Sequence, residues 1–102
     1  MSVQQFRGVF MDVIRYKGTL DLGNAATGSG TFTSSDVTVP GVALGDIVLG
    51  VSLGVDTVDA AVFGAVTAAD TVTVTLLNNT AGAVNLASTT VRILVGRIVD
   101  PG

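Results

Sequence analysis

Eight aspartates are the only side chains in this 102-residue chain that could act as carboxylate bases or hard-metal ligands, because it contains no His, Cys, Glu or Trp. General acid–base work needs two carboxylates held near each other with different proton affinities. Asp56 and Asp59 are the only close pair in the later part of the chain, and they lie in the loop-like stretch Gly54 to Asp59. Asp is favoured in such loops because it hydrogen-bonds its own backbone, so the pair reads as ordinary loop acids. Calcium would need about six to eight oxygens and a dedicated loop, and no EF-hand or repeat loop is present. Nucleophilic catalysis needs a base beside the Ser or Thr, and none can be assembled here. No catalytic, cofactor-binding or metal-binding residue is assigned.

Two further patterns resemble sites in form only. Gly41, Gly45, Gly50 and Gly54 recur at short intervals. A phosphate loop would open a helix and usually carry a Lys, but the chain has no Lys after Lys17 and no helical pattern there, so these are turn and bulge glycines. Asn78-Asn79-Thr80 has the spelling of a glycosylation acceptor and reads as a hairpin or corner turn. Sugar sites usually rest on aromatic platforms, and here the single Tyr is Tyr16 and there is no Trp.

From Lys17 onward the elements are strands. Thr71-Val72-Thr73-Val74-Thr75-Leu76-Leu77 alternates with period two, the pattern of a half-buried strand. Ser88 to Val95 is a second long strand, with Val91, Ile93 and Val95 inward and Arg92 outward; Ile98-Val99 extends it. Ile47 to Leu53 places Ile47, Leu49, Val51 and Leu53 on one face. Ala61 to Thr67 puts Val62 and Val66 opposite Phe63. Thr31 to Val39 is a strand whose Phe32 is out of phase with Val37 and Val39, so a bulge is expected near Ser34-Ser35-Asp36. Thr19 to Leu22 is a further short strand, and Gly23 to Gly30 is a turn or loop. With turn signals about every ten residues and no helical crossovers, the expected fold is mainly β: an antiparallel β-sandwich or jelly-roll-like domain over 18–102.

Residues 1–17 differ. Phe6, Val9, Phe10, Val13 and Ile14 recur at helical spacing, with Arg7, Asp12 and Arg15 elsewhere on the wheel. The expectation is an N-terminal amphipathic helix or arm, weakened by Gly8. The competing form is an extended arm or edge strand, since Val13-Ile14-Arg15-Tyr16 is good strand material.

Charge and hydropathy exclude several function classes. The net charge is −3 with five basic residues, which argues against nucleic-acid binding, where clustered Lys and Arg displace counterions from phosphates. The longest uncharged stretch, Thr71 to Val91, is interrupted by Thr, Asn, Gly and Ser, whereas a membrane helix needs about 18 or more mostly apolar residues. The first residues carry Arg7, Asp12 and Arg15 and offer no apolar leader core. A hydrophobic content of 48% and a mean hydropathy of +0.67 therefore point to a subunit interface, which resembles a domain core cut in half.

The order and spacing of four blocks adds a resemblance. They are Val39-Pro40-Gly41-Val42-Ala43-Leu44-Gly45-Asp46, then Ala68-Ala69-Asp70-Thr71-Val72-Thr73-Val74, then Asn79-Thr80-Ala81-Gly82-Ala83-Val84, then Ala87-Ser88 leading into Val91-Arg92-Ile93-Leu94-Val95. From about Gly18 to Val95 the chain resembles small β-sandwich modules of tailed-bacteriophage virion proteins, of the capsid decoration (cement) or head-fibre type. The resemblance implies a non-enzymatic structural protein on the capsid surface of a virion. It also implies self-association, often as a homotrimer, with the major capsid protein or another virion protein as partner, and carries no catalytic residue or cofactor. Residues 1–17 lie outside it. There Phe6, Val9, Phe10, Val13 and Ile14 are the expected partner-binding residues, docking on a neighbouring subunit or on the capsid protein. The alternatives are a cap on the chain's own sandwich and, at the level of function, a fibre module for host glycans.

Overall fold

The computed structural model describes the backbone of residues 2–6, 9–25, 31–57, 59–80 and 82–99, and the side chains of 12–23, 31–57, 59–80 and 82–98. The elements are β1 (Ser2–Phe6), β2 (Val9–Leu20), β3 (Gly23–Ala25), β4 (Thr31–Thr38), β5 (Ile47–Leu53), β6 (Ala61–Ala68), β7 (Thr71–Asn78), β8 (Val84–Leu86) and β9 (Thr89–Val99). One sheet has the order β1-β2-β9-β5 and the other β4-β7-β6, while β3 and β8 form a short ladder of their own. Every pairing is antiparallel. The chain is mainly β, in the arrangement of a sandwich.

Alternation decides what is buried. On β7, Val72, Val74, Leu76 and Asn78 face inward; on β9, Val91, Ile93 and Val95 do. The apolar ones lie in one cluster with Leu20, Val37, Val39, Val42, Ala60, Val84 and Leu86, so both sheets and the connecting loops share a single core. Burying a Val or Leu fully stabilises by about 1.5–3 kcal/mol, and β-branched side chains fit a pleated surface at little rotamer cost.

The amphipathic helix expected over residues 1–17 is not what forms. Its described residues are strand, and β2 runs without a break from Val9 to Leu20, pairing with β9 from Phe10↔Val99 to Leu20↔Thr89. The same Val, Ile, Phe and Tyr residues that give helical spacing also have high strand propensity, and β9 supplies the cross-strand hydrogen bonds and packing that an isolated helix of this length lacks. Beyond the end of β5, which first pairs at Ile47↔Gly96, β2 and the tail of β9 continue together with β1 alongside. A strand of this length spans roughly 36–40 Å, in keeping with the extents of 49 × 23 × 22 Å.

Two phase expectations are also corrected. Between β4 and β7 the register is continuous from Thr31↔Asn78 to Thr38↔Thr71, with no bulge at Ser34-Ser35-Asp36. Phe32 is instead outward and 66% exposed. The register shift falls in β5, between Val48 and Gly50. It leaves Ile47 and Leu49 exposed and turns Val48, Val51 and Leu53 toward the core.

The two sheets meet closely at Gly64 of β6. A Cβ there would lie 3.0 Å from Val51 Cγ2 and 3.4 Å from Val48 Cγ1, both on β5 of the facing sheet, and 3.3 Å from Val72 Cγ1. Gly64→Val therefore overpacks this joint and should lower stability by about 1–3 kcal/mol. Gly50→Ala, where an added Cβ meets nothing within 4 Å, should stay within about 0.5 kcal/mol of the parent. Urea unfolding of both variants checks the contrast.

Candidate functional site

Several polar side chains hold loops in place. The loop after β4 folds back on itself at Pro40-Gly41, where Gly41 takes a φ of 96° that only glycine adopts freely. The tip of the β6–β7 hairpin fastens it. Asp70, at a φ of 58°, accepts a hydrogen bond on its carboxylate from the Gly41 N–H at 2.9 Å. Its backbone carbonyl accepts from Val39 N at 2.8 Å and its N–H donates to the Val42 carbonyl at 2.9 Å. Asp tolerates the left-handed region better than most side chains.

Asp46 closes the same loop. Its carboxylate accepts from Ala43 N at 2.9 Å and from Arg97 Nε and Nη2 at 2.8 and 2.7 Å. Arg97 also donates to the Gly41 carbonyl at 2.9 Å. The Asp46 side chain is 5% exposed and that of Arg97 37%. The guanidinium hydrogen bonds hold the Asp46 carboxyl below its ordinary value, against the opposing effect of its removal from water, and the Ala43 N–H and the Arg97 charge assist. Arg97 is correspondingly raised, through its bond to Asp46. At the far end of β7, Asn78 is fully buried; its amide donates to the Gly82 carbonyl at 2.8 Å and accepts from Thr80 N at 2.9 Å. The Asn78-Asn79-Thr80 run is thus a corner turn locked by its own side chain.

Asp56 and Asp59 lie in the loop between β5 and β6, both exposed. No group of three or more potential metal ligands occurs among the described residues.

Two outer faces remain. On the β4-β7-β6 sheet, Phe32 pairs with Leu77, Leu77 with Ala61 and Thr75 with Phe63. All of these project outward by alternation, making an apolar strip in which Phe32 and Phe63 are 66% and 49% exposed. Beside it, Thr73 Oγ1 donates to Asp36 Oδ1 at 2.6 Å and lies 2.8 Å from Thr67 Oγ1. Since Thr73 has one hydroxyl proton, Thr67 is the donor to it.

The other face belongs to β2, β9 and β5. Lys17 pairs with Arg92 and Arg92 with Ser52; Arg15 pairs with Leu94 and Leu94 with Gly50. Arg15, Lys17, Leu49, Ser52, Arg92 and Leu94 are exposed and border a shallow groove of about 550 Å³. Counting charges along the sequence missed this grouping. The signal was the i, i+2 spacing of Arg15 and Lys17, visible once residues 15–17 are read as strand rather than helix.

The residues expected to bind a partner are placed in strands, not on one helical face. Phe6 ends β1, opposite Val9 of β2, and Phe10 pairs with Gln5 and Val99; the side chains of Phe6, Val9 and Phe10 lie outside the described residues. Val13 and Ile14 are neighbours on β2 and so point to opposite faces. Ile14 packs against the core.

The Asp46 bond should make stability sensitive to acid. A carboxyl whose folded pKa is depressed contributes stability that is complete above its unfolded value, near 3.8, and is lost as pH falls through the lower folded value. Thermal unfolding from about pH 5 to pH 2 should therefore show a falling midpoint in the parent. The fall should be shallower in Asp46→Asn, which starts lower.

Comparison with known protein families, with curated proteins and with solved structures found none that matches this chain.

Proposed function

We propose that this chain is a non-enzymatic structural protein of a tailed-phage virion that decorates and stabilises the capsid exterior as a homotrimer. The observation that carries the reading is the outward strip of exposed Phe32 and Phe63 with half-buried Leu77 on the β4-β7-β6 sheet face. A soluble domain keeps such contiguous apolar area mainly where another polypeptide covers it. The four sequence blocks that resemble phage sandwich modules support the same reading. Three of them coincide with the loop clamp at Val39–Asp46, the hairpin at Asp70 and the Asn78 corner, the features that hold such a sandwich rigid.

The mechanism is physical. An aromatic side chain buried at a joint contributes about 1.5–3 kcal/mol, and three copies acting together gain avidity without a strong single contact. Phe6, Val9, Phe10 and Val13 are the proposed second contact, made by the end of the β1-β2-β9 sheet that extends past β5; Ile14 supports them from the core side.

A second reading, a head- or tail-fibre module for host glycans, is favoured by one observation. Phe63, paired with Thr75, presents aromatic surface one step along the sheet from the Thr67–Thr73–Asp36 hydrogen-bond chain, a pairing of apolar face and polar partners that sugars use.

Removing residues 1–16 would strip β2 from β9 and unfold the sheet, so point changes are the cleaner test. Purified protein mixed with undecorated capsids of the phage that encodes it should pellet with them and raise their thermal rupture point. Phe32→Ser with Phe63→Ser should abolish both effects while leaving the unfolding midpoint of the free protein nearly unchanged, because both side chains are exposed. Failure of the parent to pellet, or normal decoration by the double variant, would contradict the proposal.

A further inference from the structure

We infer that the groove on the outer face of β2, β9 and β5 docks an extended, carboxylate-bearing segment of a partner protein. The inference goes beyond the virion reading and does not depend on it.

Three of the chain's five basic residues, Arg15, Lys17 and Arg92, share this face. Lys17 and Arg92 are direct cross-strand partners, an arrangement that like charge makes unfavourable. The Arg97–Asp46 ion pair lies elsewhere, at the end of the sandwich. Asp21, Asp36, Asp46 and Asp70 are turned to hydrogen bonds within the loops and the opposite sheet. Asp12 pairs with Arg97 in the β2–β9 register, away from the groove. In a chain of net charge −3, these five carboxylates are thus engaged away from the face on which Arg15, Lys17 and Arg92 are grouped.

The shape and lining select among anions. Leu94 lies beside Arg15 and Arg92, Leu49 borders the same groove from β5, and both are exposed, so the occupant must bring apolar as well as anionic groups. No aromatic side chain projects outward here, since Tyr16 packs toward the core; single-stranded nucleic acid would look for such stacking platforms. The face is concave, whereas a lipid surface is best engaged by protruding apolar groups. An extended peptide fits. Its alternate side chains repeat at about 6.5–7 Å, the same spacing that separates Arg15 from Lys17 along β2, and Gly50 leaves open space above it for a backbone. Exposed cations of this kind act mostly on encounter rate and salt dependence, so the contact is a recruiting one.

The test uses a short fluorescein-labelled peptide with glutamate at alternate positions, a central leucine and alanine elsewhere, read by fluorescence anisotropy against the full chain. Saturable binding that weakens with salt, and is absent for the glutamine version of the peptide, is the expected result. Arg15→Gln with Arg92→Gln should weaken it by about tenfold. Lys17→Gln should weaken binding while leaving the unfolding midpoint equal to or above that of the parent, because it removes a like-charge pair. That opposite movement separates docking from a structural role. No saturable binding, unchanged affinity in the Arg15→Gln, Arg92→Gln protein, or tighter binding to a thymidine oligonucleotide or to phosphatidylglycerol vesicles would overturn the inference.

Discussion

The closeness of the two sheets is the constraint on which the rest depends. Val72, Val74 and Leu76 of one sheet and Val91, Ile93 and Val95 of the other leave almost no surface to water, and none of these side chains is larger than a leucine or isoleucine. At the edge, Gly64 lets β6 approach β5 to the point where one added carbon would press on Val51. Interiors this tight do not absorb extra volume without displacing backbone. Because the core takes alternate residues of β7 and of Val91–Val95 in β9, it also fixes which of their residues are left outside. The apolar strip and the basic groove are both consequences of the inner packing.

The hydrogen-bonded polar side chains of the loops are arranged around that core. Asp46 with Arg97, Asp70 with the Val39–Val42 loop, and Asn78 with its own turn each satisfy backbone groups at the ends of strands. Buried backbone polar groups must be paired, and long irregular loops in a small domain need side chains to do it. In the role proposed above, this braced scaffold would present its two outer faces to other polypeptides.

Legibility in the sequence followed how local the cause was. The alternation of β7 and β9 needs only the strand itself, and both were readable with their inward residues. The turns at Asp70 and Asn78 were readable as turns, but the hydrogen bonds that fasten them reach distant residues and were not. Residues 9–17 misled because Phe10, Val13 and Ile14 satisfy helical spacing, while the deciding partner, β9, lies at the other end of the chain. Phe32 misled for a related reason. A large aromatic favours burial, which here would take a bulge, whereas the register with β7 is unbroken and the ring stays outside. Leu49 shows the reverse case: a regular alternation from Ile47 to Leu53 gave no hint of the register shift that exposes it.

The central claim is that the uncovered faces of this sandwich exist to meet other chains, its own copies first among them. Sedimentation equilibrium of the purified protein from about 1 to 100 µM measures this directly. The account predicts a stable assembly with the mass of three chains across the range. A single-chain mass at every concentration would contradict it.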